Sequence, residues 1–228
     1  MKKITSYFTR SELILWSCSS LTIILSFAIF DRGSSFTLIA SLIGVTSLIF
    51  NAKGNPIGQL LMIIFSILYA IISYSFSYYG EMITYLGMTL PMAAFSLISW
   101  LKHPFKGNKA EVEVNVISVK EHVFMWVLTS IVTAVFYFIL AYFNTANLIP
   151  STISVTTSFA AAYLTFRRSP LYAVWYAAND VILVVLWVLA SFSDLSYISV
   201  VVCFVAFLFN DLYGFINWKR MQKKQAAK

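Results

Sequence analysis

The sequence predicts an all-α integral membrane protein with eight transmembrane helices, on the strength of three observations. Apolar residues make up 60% of the 228-residue chain and its mean hydropathy is +0.81, both well above the values of soluble domains. Charged and turn-forming residues divide the chain into eight apolar segments, most of which approach the roughly 20 residues that a spanning helix needs. None shows the short alternating pattern of transmembrane β-strands, so we expect helices.

The eight predicted spans are separated by short turns, apart from one polar connection in the middle of the chain. They are Leu13–Phe30, Ser35–Phe50, Pro56–Tyr79, Met82–Leu101, Val123–Phe143, Leu148–Phe166, Leu171–Phe192 and Tyr197–Trp218. The second span is short enough to predict a bent or protein-buried helix. Lys2 and Lys3 before the first span are typical of a signal peptide. The apolar core is too long for one and lacks a cleavage site, so we expect it to remain in the protein.

The basic residues fall almost entirely on one side of the membrane when the amino terminus is placed in the cytoplasm. The cytoplasmic side then receives Lys2, Lys3, Arg10, Lys53, Lys102, Lys106, Lys109, Lys120, Arg167, Arg168, Lys219, Arg220, Lys223, Lys224 and Lys228. Only Arg32 falls outside. This asymmetry follows the positive-inside rule and predicts two cytoplasmic termini. The net charge of +7 therefore indicates membrane orientation and gives no support for nucleic-acid binding.

The two halves of the chain carry the same landmarks in the same order. The matching landmarks are Glu12 and Glu121 at the first span, Asn55-Pro56 and Ser169-Pro170 at the third, and Trp100 and Trp218 at the end of the fourth. Because four spans separate equivalent points, the halves share one orientation and form a parallel repeat. Such repeats are typical of transporters with a substrate site between the halves, near the midplane. We therefore predict a single membrane transporter domain, 1–228, with a first half, 1–102, a cytoplasmic connection, 103–121, and a second half, 122–228.

Polar and aromatic side chains in the predicted spans define a candidate substrate site. A carboxylate near the bilayer centre costs roughly 2.5–3.5 kcal/mol, and the spans offer no Lys or Arg to pair with it. The candidate binding residues are Trp175, Asn179, Asp180, Trp187, Asn210, Asp211, Tyr213 and Asn217 in the second half, with Gln59 and Tyr69 in the first. Aromatic faces beside carboxylates suit a flat, cationic, hydroxyl-bearing molecule, such as a pyridinium riboside or a thiazolium.

Structural roles remain open for several of these residues. Trp100 and Trp218 are most simply aromatic residues of the membrane interface. Asn210 and Asn217 fit equally well as bridges between neighbouring helices. Asp180 and Asp211 have a structural alternative as protonated or capped helix contacts.

Enzymatic and metal-binding classes find little support in the sequence. It lacks a zinc-protease motif, a nucleophile elbow and a phosphate-binding glycine loop, and Cys18 and Cys203 have no metal-type spacing. An intramembrane aspartyl enzyme using Asp180 and Asp211 is the remaining enzymatic hypothesis. Their contexts, AANDV and FNDLYG, lack the glycines that precede the aspartate in the G-x-G-D motif of such proteases. We predict no enzyme activity, no metal and no cofactor.

Three stretches together resemble the Pnu family of bacterial vitamin transporters, of the PnuC type. They are the W-x-x-x-N pattern of Trp175 and Asn179 with Trp187 further on, FNDLYGFINW in the last span, and LYAIISYSFSYYGE at the end of the third. The resemblance covers nearly the whole chain. It implies a fold similar to SWEET transporters, with two three-helix bundles, a linking fifth helix and an added first helix. It also implies that Trp175 and Asn179 contact the substrate.

The resemblance further implies uptake of nicotinamide riboside by facilitated diffusion across a bacterial cytoplasmic (inner) membrane. It suggests a homo-oligomer, by analogy a trimer. Family relatives carry thiamine, riboflavin or deoxynucleosides, and these substrates and a proton-coupled mechanism remain the alternatives. The sequence departs from the family at Phe65, the first-half counterpart of Asn179, where members often have Asn.

Overall fold

The protein is a bundle of helices with a small hairpin at one end. The computed structural model describes residues 7–75 and 79–227. Its helices are α1 (Arg10–Phe30), α2 (Ser35–Ala52), α3 (Pro56–Ser75), α4 (Tyr79–Lys102), α5 (Val119–Tyr142), α6 (Leu148–Phe166), α7 (Tyr172–Ser191) and α8 (Ile198–Ala226). A hairpin of β1 (Pro104–Phe105) and β2 (Asn108–Val112) follows α4, and α4 itself contains a π-helical turn, Tyr85–Thr89. A 3-10 turn, Leu195–Tyr197, precedes α8.

Seven of the helices in the described parts of the chain are long and apolar enough to cross a membrane, and α6 is the exception. The prediction of an all-helical membrane protein is thus confirmed at this level, while the sixth predicted span, Leu148–Phe166, has the length but not the hydropathy. The third predicted span, Pro56–Tyr79, includes residues 76–78, which lie outside the described residues. Lys2, Lys3 and Lys228 also lie outside them.

The polar character of α6 is explained by its surroundings. The helix is rich in Ser and Thr and packs against α5, α7 and α4, so most of its surface is covered by protein. Several hydroxyls donate to the backbone carbonyl one turn earlier, such as Thr152 to Leu148 at 2.8 Å and Thr165 to Ala161 at 2.8 Å. Hydroxyls paired in this way need no water, so a polar helix fits within the bundle.

The helices pack as a closed ring with two helices outside it. In the ring, α3 lies between α2 and α4, and α7 lies between α6 and α8. Contacts of α2 with α8 and of α4 with α6 close the ring. Outside it, α1 packs against α2 and α8, and α5 packs against α6 and the start of α4. Three helices from each predicted half therefore surround the centre.

Glu12 and Glu121 begin α1 and α5 in the same way. The amide of Glu12 donates to the Thr9 hydroxyl at 3.3 Å, and the amide of Glu121 donates to the Ser118 hydroxyl at 3.3 Å. Such N-caps satisfy one of the amides that a helix start leaves without a partner. The Glu12 carboxylate also accepts from the Thr9 amide at 2.7 Å, which completes a capping box.

The same two carboxylates pair with basic residues in the turns that follow the second helix of each half. Glu12 pairs with Lys53 at 3.0 Å, and Glu121 pairs with Arg167. Tyr213 on α8 also donates to Glu12 at 3.0 Å. We call the end of the bundle that carries these turns, 53–55 and 167–171, the basic end. Equivalent ion pairs thus fix the first helix of each half to this end.

The connection between the halves crosses the basic end and bonds to both turns. Gly54 and Arg168 adopt left-handed conformations, with φ of 64° and 57°. The carbonyl of Gly54 accepts from the Val112 amide at 2.9 Å, and the carbonyl of Arg168 accepts from the Asn115 amide at 3.0 Å. Gln225 at the end of α8 joins this network, because its side chain accepts from the amide of Val114 at 2.8 Å.

Trp100 and Trp218 lie at the centre of the basic end, so their prediction as interfacial aromatics is wrong. Their exposed fractions are 1% and 0%, and their ring centroids are 5.4 Å apart. The Trp100 indole donates to the Thr165 carbonyl at 2.9 Å, and the Trp218 indole donates to the Asn51 carbonyl at 2.8 Å. The last carbonyls of a helix lack partners within it. Each half therefore supplies an indole that satisfies a helix end of the other half.

Glu12→Gln is expected to lower the melting temperature of the purified protein, because it removes the charge that faces Lys53. The Glu12 side chain is 1% exposed, and breaking a buried ion pair costs about 3 kcal/mol. Glu121→Gln is the matched control, since the Glu121 side chain is 20% exposed and its pair is more accessible to water. Thermal unfolding in detergent measures both variants. Equal shifts would contradict a special role for the buried pair.

Candidate functional site

A vestibule opens at the end of the bundle opposite the basic end. Its volume is about 350 Å³, and its walls are the start of α4, the 143–147 connection and the last turns of α7. Its polar lining includes Glu81, Asn144, Asn147 and Ser151. Small-molecule sites in proteins typically occupy about 300–1,000 Å³. The vestibule is therefore large enough to admit a ligand of the size of a nucleoside.

The wall of the vestibule is fixed by close packing at the start of α4. A Cβ atom on Gly80 would lie 2.2 Å from the Thr145 hydroxyl and 2.7 Å from a methyl of Leu140. Only glycine allows the first turn of α4 to approach the 143–147 connection this closely. Asn144 and Asn147 in that connection have φ of 49° and 54°, a conformation that asparagine tolerates well.

A narrow polar cavity lies beside the vestibule, around Asn179. The amide oxygen of Asn179 accepts from the hydroxyls of Ser154 at 2.9 Å and Thr157 at 3.0 Å, which fixes the orientation of its side chain. The cavity measures about 10 Å³, which is room for about one water molecule. Glu81 and Ser151 line both the vestibule and this cavity. The two spaces are therefore neighbours along one polar wall.

The two predicted tryptophans of α7 lie in different surroundings. Trp187 lines the vestibule and packs against Tyr197, with ring centroids 5.4 Å apart. Trp175 is partly buried and packs edge-on against Trp126 of α5 at 5.0 Å. Trp175 is one turn from Asn179 on the same face of α7, on the side toward the basic end. The structure thus brings Trp187 to the vestibule and keeps Trp175 against a neighbouring helix.

The first half fills the equivalent position with aromatic rings. Phe65, the counterpart of Asn179, is 4% exposed and packs against Tyr69 at 5.5 Å and Phe207 at 5.9 Å. Tyr69 packs closely against Tyr85 at 4.4 Å. A Cβ atom on Gly44 would lie 2.5 Å from the Phe207 ring, so this cluster has little free space. Among the described residues, the polar cavity belongs mainly to the second half.

Asp180 and Asp211 face each other across the contact between α7 and α8. Both are buried, with 4% and 5% exposure, and their carboxyl groups lie within hydrogen-bonding reach of each other. Neither forms an ion pair with any residue in 7–75 or 79–227. Two carboxylates share such a contact only when a proton lies between them or water separates them. Across those ranges the chain contains no cluster of three potential metal ligands.

Four predicted site residues lie at contacts between helices, away from the Asn179 cavity. Their side chains donate hydrogen bonds across those contacts: Gln59 to Asn51 Oδ1 at 2.8 Å, Asn210 to Ser19 Oγ at 2.9 Å, Tyr213 to Glu12 Oε1 at 3.0 Å, and Asn217 to the Ala52 carbonyl at 2.8 Å. Interhelical hydrogen bonds of this kind stabilise membrane proteins by about 0.6 kcal/mol each.

The sequence analysis missed Ser151, Ser154, Thr157 and Glu81. The three hydroxyl residues belong to STISVTTS, the least apolar stretch of any predicted span, and that composition was the available signal. Glu81 was not among the predicted binding residues. Its position on the shared wall depends on how α4 packs against the 143–147 connection, which the sequence does not reveal.

Comparisons with known proteins agree with this fold and with a transport role. Residues 34–220 match the family described as "Nicotinamide mononucleotide transporter". The nicotinamide riboside transporter PnuC of Neisseria mucosa is 26% identical over 204 residues, which cover 87% of this chain and 77% of that protein. The crystal structure of the vitamin B3 transporter PnuC is 24% identical and shares the fold, with a TM-score of 0.82 over 96% of this chain and 94% of that one.

The family match spans most of the chain, and it includes the Asn179 cavity, the vestibule and both tryptophans of the basic end. The resemblance to the Pnu transporters that the sequence indicated is confirmed. This protein therefore belongs to the nicotinamide mononucleotide transporter family.

Proposed function

We propose that the protein takes up nicotinamide riboside by facilitated diffusion, through the vestibule and the Asn179 cavity. The polar wall shared by these two spaces supports the proposal, because it offers hydrogen-bonding groups along a route into the helical ring. The named relative from Neisseria mucosa carries the same vitamin. The matching family and relative are transporters, so we expect transport and no enzymatic activity.

The charges along the route favour a riboside over the phosphorylated nucleotide of the family description. Phosphate groups are typically bound by Arg, Lys or exposed backbone amides. Among the described residues, Glu81 is the only charged side chain that lines the vestibule or the Asn179 cavity. A phosphate would meet this carboxylate without a compensating cation. A molecule with free hydroxyl groups fits the Ser, Thr and Asn lining better.

We place the nicotinamide ring near Trp187 and the ribose near Asn179. An indole face attracts a pyridinium by stacking and by cation–π attraction. The hydroxyls of Ser154 and Thr157, which hold the Asn179 amide, can exchange partners with ribose hydroxyls. The cavity admits only one water in this conformation, so substrate entry requires the helices around it to move apart. Trp175, one turn from Asn179 on the same face of α7, would support the Asn179 side chain from the side of the basic end.

Alternating access would arise from movement of one half against the other. The vestibule is open at one end, while the Trp100 and Trp218 pair and the 103–118 connection close the basic end. Matched turns, caps and indole hydrogen bonds support a parallel repeat of two halves, 1–102 and 122–228, in one domain. In this proposal the arrangement is SWEET-like, with α5 as the linking helix and α1 as the added helix. Helix α6 also crosses the membrane, which brings the number of spans to eight.

We assign the basic end to the cytoplasm and the protein to the bacterial inner membrane. The turns at that end carry Lys53, Arg167 and Arg168, and the end of α8 adds Lys219 and Lys223. Both termini are then cytoplasmic. Assembly as a homo-oligomer, a trimer by family analogy, remains part of the proposal.

The substrate proposal is tested by binding and uptake with purified protein. Nicotinamide riboside is expected to raise the melting temperature by mass action, whereas nicotinamide mononucleotide, thiamine, riboflavin and deoxynucleosides should shift it much less. Uptake into proteoliposomes should not respond to a proton uncoupler. Uncoupler-sensitive accumulation would favour the proton-coupled alternative, for which Asp180 and Asp211 are the candidate carriers. A larger shift with the mononucleotide would contradict the proposal.

Asn179→Ala is expected to weaken nicotinamide riboside binding about tenfold, because it removes the central polar group of the cavity. Thr157 also donates to the Ile153 carbonyl at 3.1 Å, so its hydroxyl retains a partner and the fold should survive. Asn210→Ala is the matched control on the neighbouring helix, since Asn210 faces α1. It should lower stability but leave affinity within twofold. Titration of each variant separates these outcomes, and equal affinities would remove Asn179 from the site.

Trp100→Phe is expected to make the basic end open more often, because it removes the hydrogen bond from the indole to the Thr165 carbonyl. The variant retains an aromatic ring at this position, which limits the loss of packing. The readout is the reaction of Ser154→Cys with a water-soluble thiol reagent applied from the cytoplasmic side, in a background without Cys18 and Cys203. We expect labelling to accelerate severalfold. Trp16→Phe is the control, since it also removes an indole hydrogen bond, to Thr46 at 3.1 Å, but Trp16 is 37% exposed on α1, outside the helical ring. No acceleration over this control would argue against the indole closure.

A further inference from the structure

We propose that Glu81 is a specificity-determining residue that selects cationic aromatic substrates at the neck of the transport route. This inference rests on the proposed function and names the class of substrate that the same site admits. The class consists of molecules with a permanently charged aromatic ring, such as a pyridinium riboside. Uncharged vitamins and nucleosides lie outside it.

Glu81 occupies the point where the vestibule meets the Asn179 cavity. Its side chain is partly buried and lines both spaces, a position that it shares with Ser151. Any molecule that moves from the vestibule to Asn179 passes this carboxylate. A charge at a narrow passage with low-dielectric walls acts on a passing ion more strongly than the same charge on an open surface.

Glu81 has no basic partner among the residues that the structure describes. No Lys, Arg or His lines the vestibule or the Asn179 cavity among the described residues, and positions 76–78 contain none. Arg32, the basic residue predicted on this side, donates to the Ala28 carbonyl of α1 at 2.8 Å. Glu81 also forms no ion pair within the described ranges. A cationic substrate would supply the counter-charge that favours the ionised form of Glu81.

Aromatic faces surround this charge on both sides. Trp187, Phe143 and Tyr79 line the vestibule with Glu81, and Tyr85 lines the inner cavity with it. A carboxylate combined with ring faces favours a flat cation, because both attract positive charge and the rings also stack. A flat neutral molecule gains the stacking alone. The arrangement therefore favours a flat cation over a flat neutral molecule of similar shape.

Close packing of the backbone holds Glu81 in place. The neighbouring Gly80 lies so near Thr145 and Leu140 that no larger residue fits without a shift. The first turn of α4 therefore lies in direct contact with the 143–147 connection. The carboxylate is positioned by packing, and its own side chain remains available to meet a substrate.

The test compares a cationic riboside with its neutral analogue on the same protein. Nicotinamide riboside and its reduced dihydronicotinamide form share the ribose and the carboxamide, but the reduced ring is neutral and no longer aromatic, so each ligand is compared between wild type and variant. Glu81→Gln is expected to weaken binding of the cation about tenfold and to change binding of the neutral form less than twofold. Isothermal titration of the full chain in detergent measures both dissociation constants.

Asp194→Asn is the matched control at the same end of the protein. The Ser196 amide donates to this carboxylate at 2.9 Å and lowers the pKa of Asp194, so the group stays charged. Asp194 is exposed and lies outside the lining of the vestibule. Its variant should leave both affinities within twofold. A loss of cation binding equal to that of Glu81→Gln would show a general surface field and overturn the assignment to Glu81.

A wild-type measurement keeps the inference testable if Glu81→Gln does not fold. Raising the salt concentration screens exposed charges, so affinity for the cation should fall while affinity for the neutral form stays constant. Equal salt dependence, or equal losses of both ribosides in Glu81→Gln, would overturn the charge selection alone. Wild-type protein that binds neither riboside would instead overturn the proposed function.

Discussion

Hydrogen-bonding groups in a membrane-spanning chain must find their partners within the protein, because hydrocarbon offers none. At the basic end this constraint links the two halves of the bundle, since Trp100 and Trp218 each donate to a helix-end carbonyl of the other half. The same constraint keeps α6 inside a shell of neighbouring helices. Closure of one end and a polar interior thus have a common physical origin.

A repeated frame with unequal linings explains how such a bundle can hold a polar molecule. Equivalent turns, caps and indoles give the halves the same skeleton, and the differences lie at equivalent interior positions. Asn179 is surrounded by hydroxyls, whereas its counterpart Phe65 is packed among aromatic rings. At this pair of positions the second half therefore offers polar groups and the first half offers packed aromatic rings, while Glu81 of the first half completes the polar wall.

The sequence predicted those features that depend on local composition. Apolar length indicated the helices, and Glu12 and Glu121 marked helix starts that the structure caps in the same way. Features that depend on distant partners were not predictable. The indole of a tryptophan such as Trp218 can lie at the membrane interface or donate to a buried carbonyl, and the sequence does not distinguish these roles. In the same way, the Asn210 amide can bind a ligand or a neighbouring side chain such as Ser19. The Ser and Thr content of α6 was visible, but its meaning required knowledge of the helices around it.

We propose that a riboside lies along the polar wall between Trp187 and Asn179. A structure determined with saturating nicotinamide riboside tests this placement most directly. We expect density for the ring beside Trp187 and Glu81, with the ribose within hydrogen-bonding distance of Asn179 or Ser154. Density elsewhere, for example between α7 and α8 at Asp180 and Asp211, would contradict it.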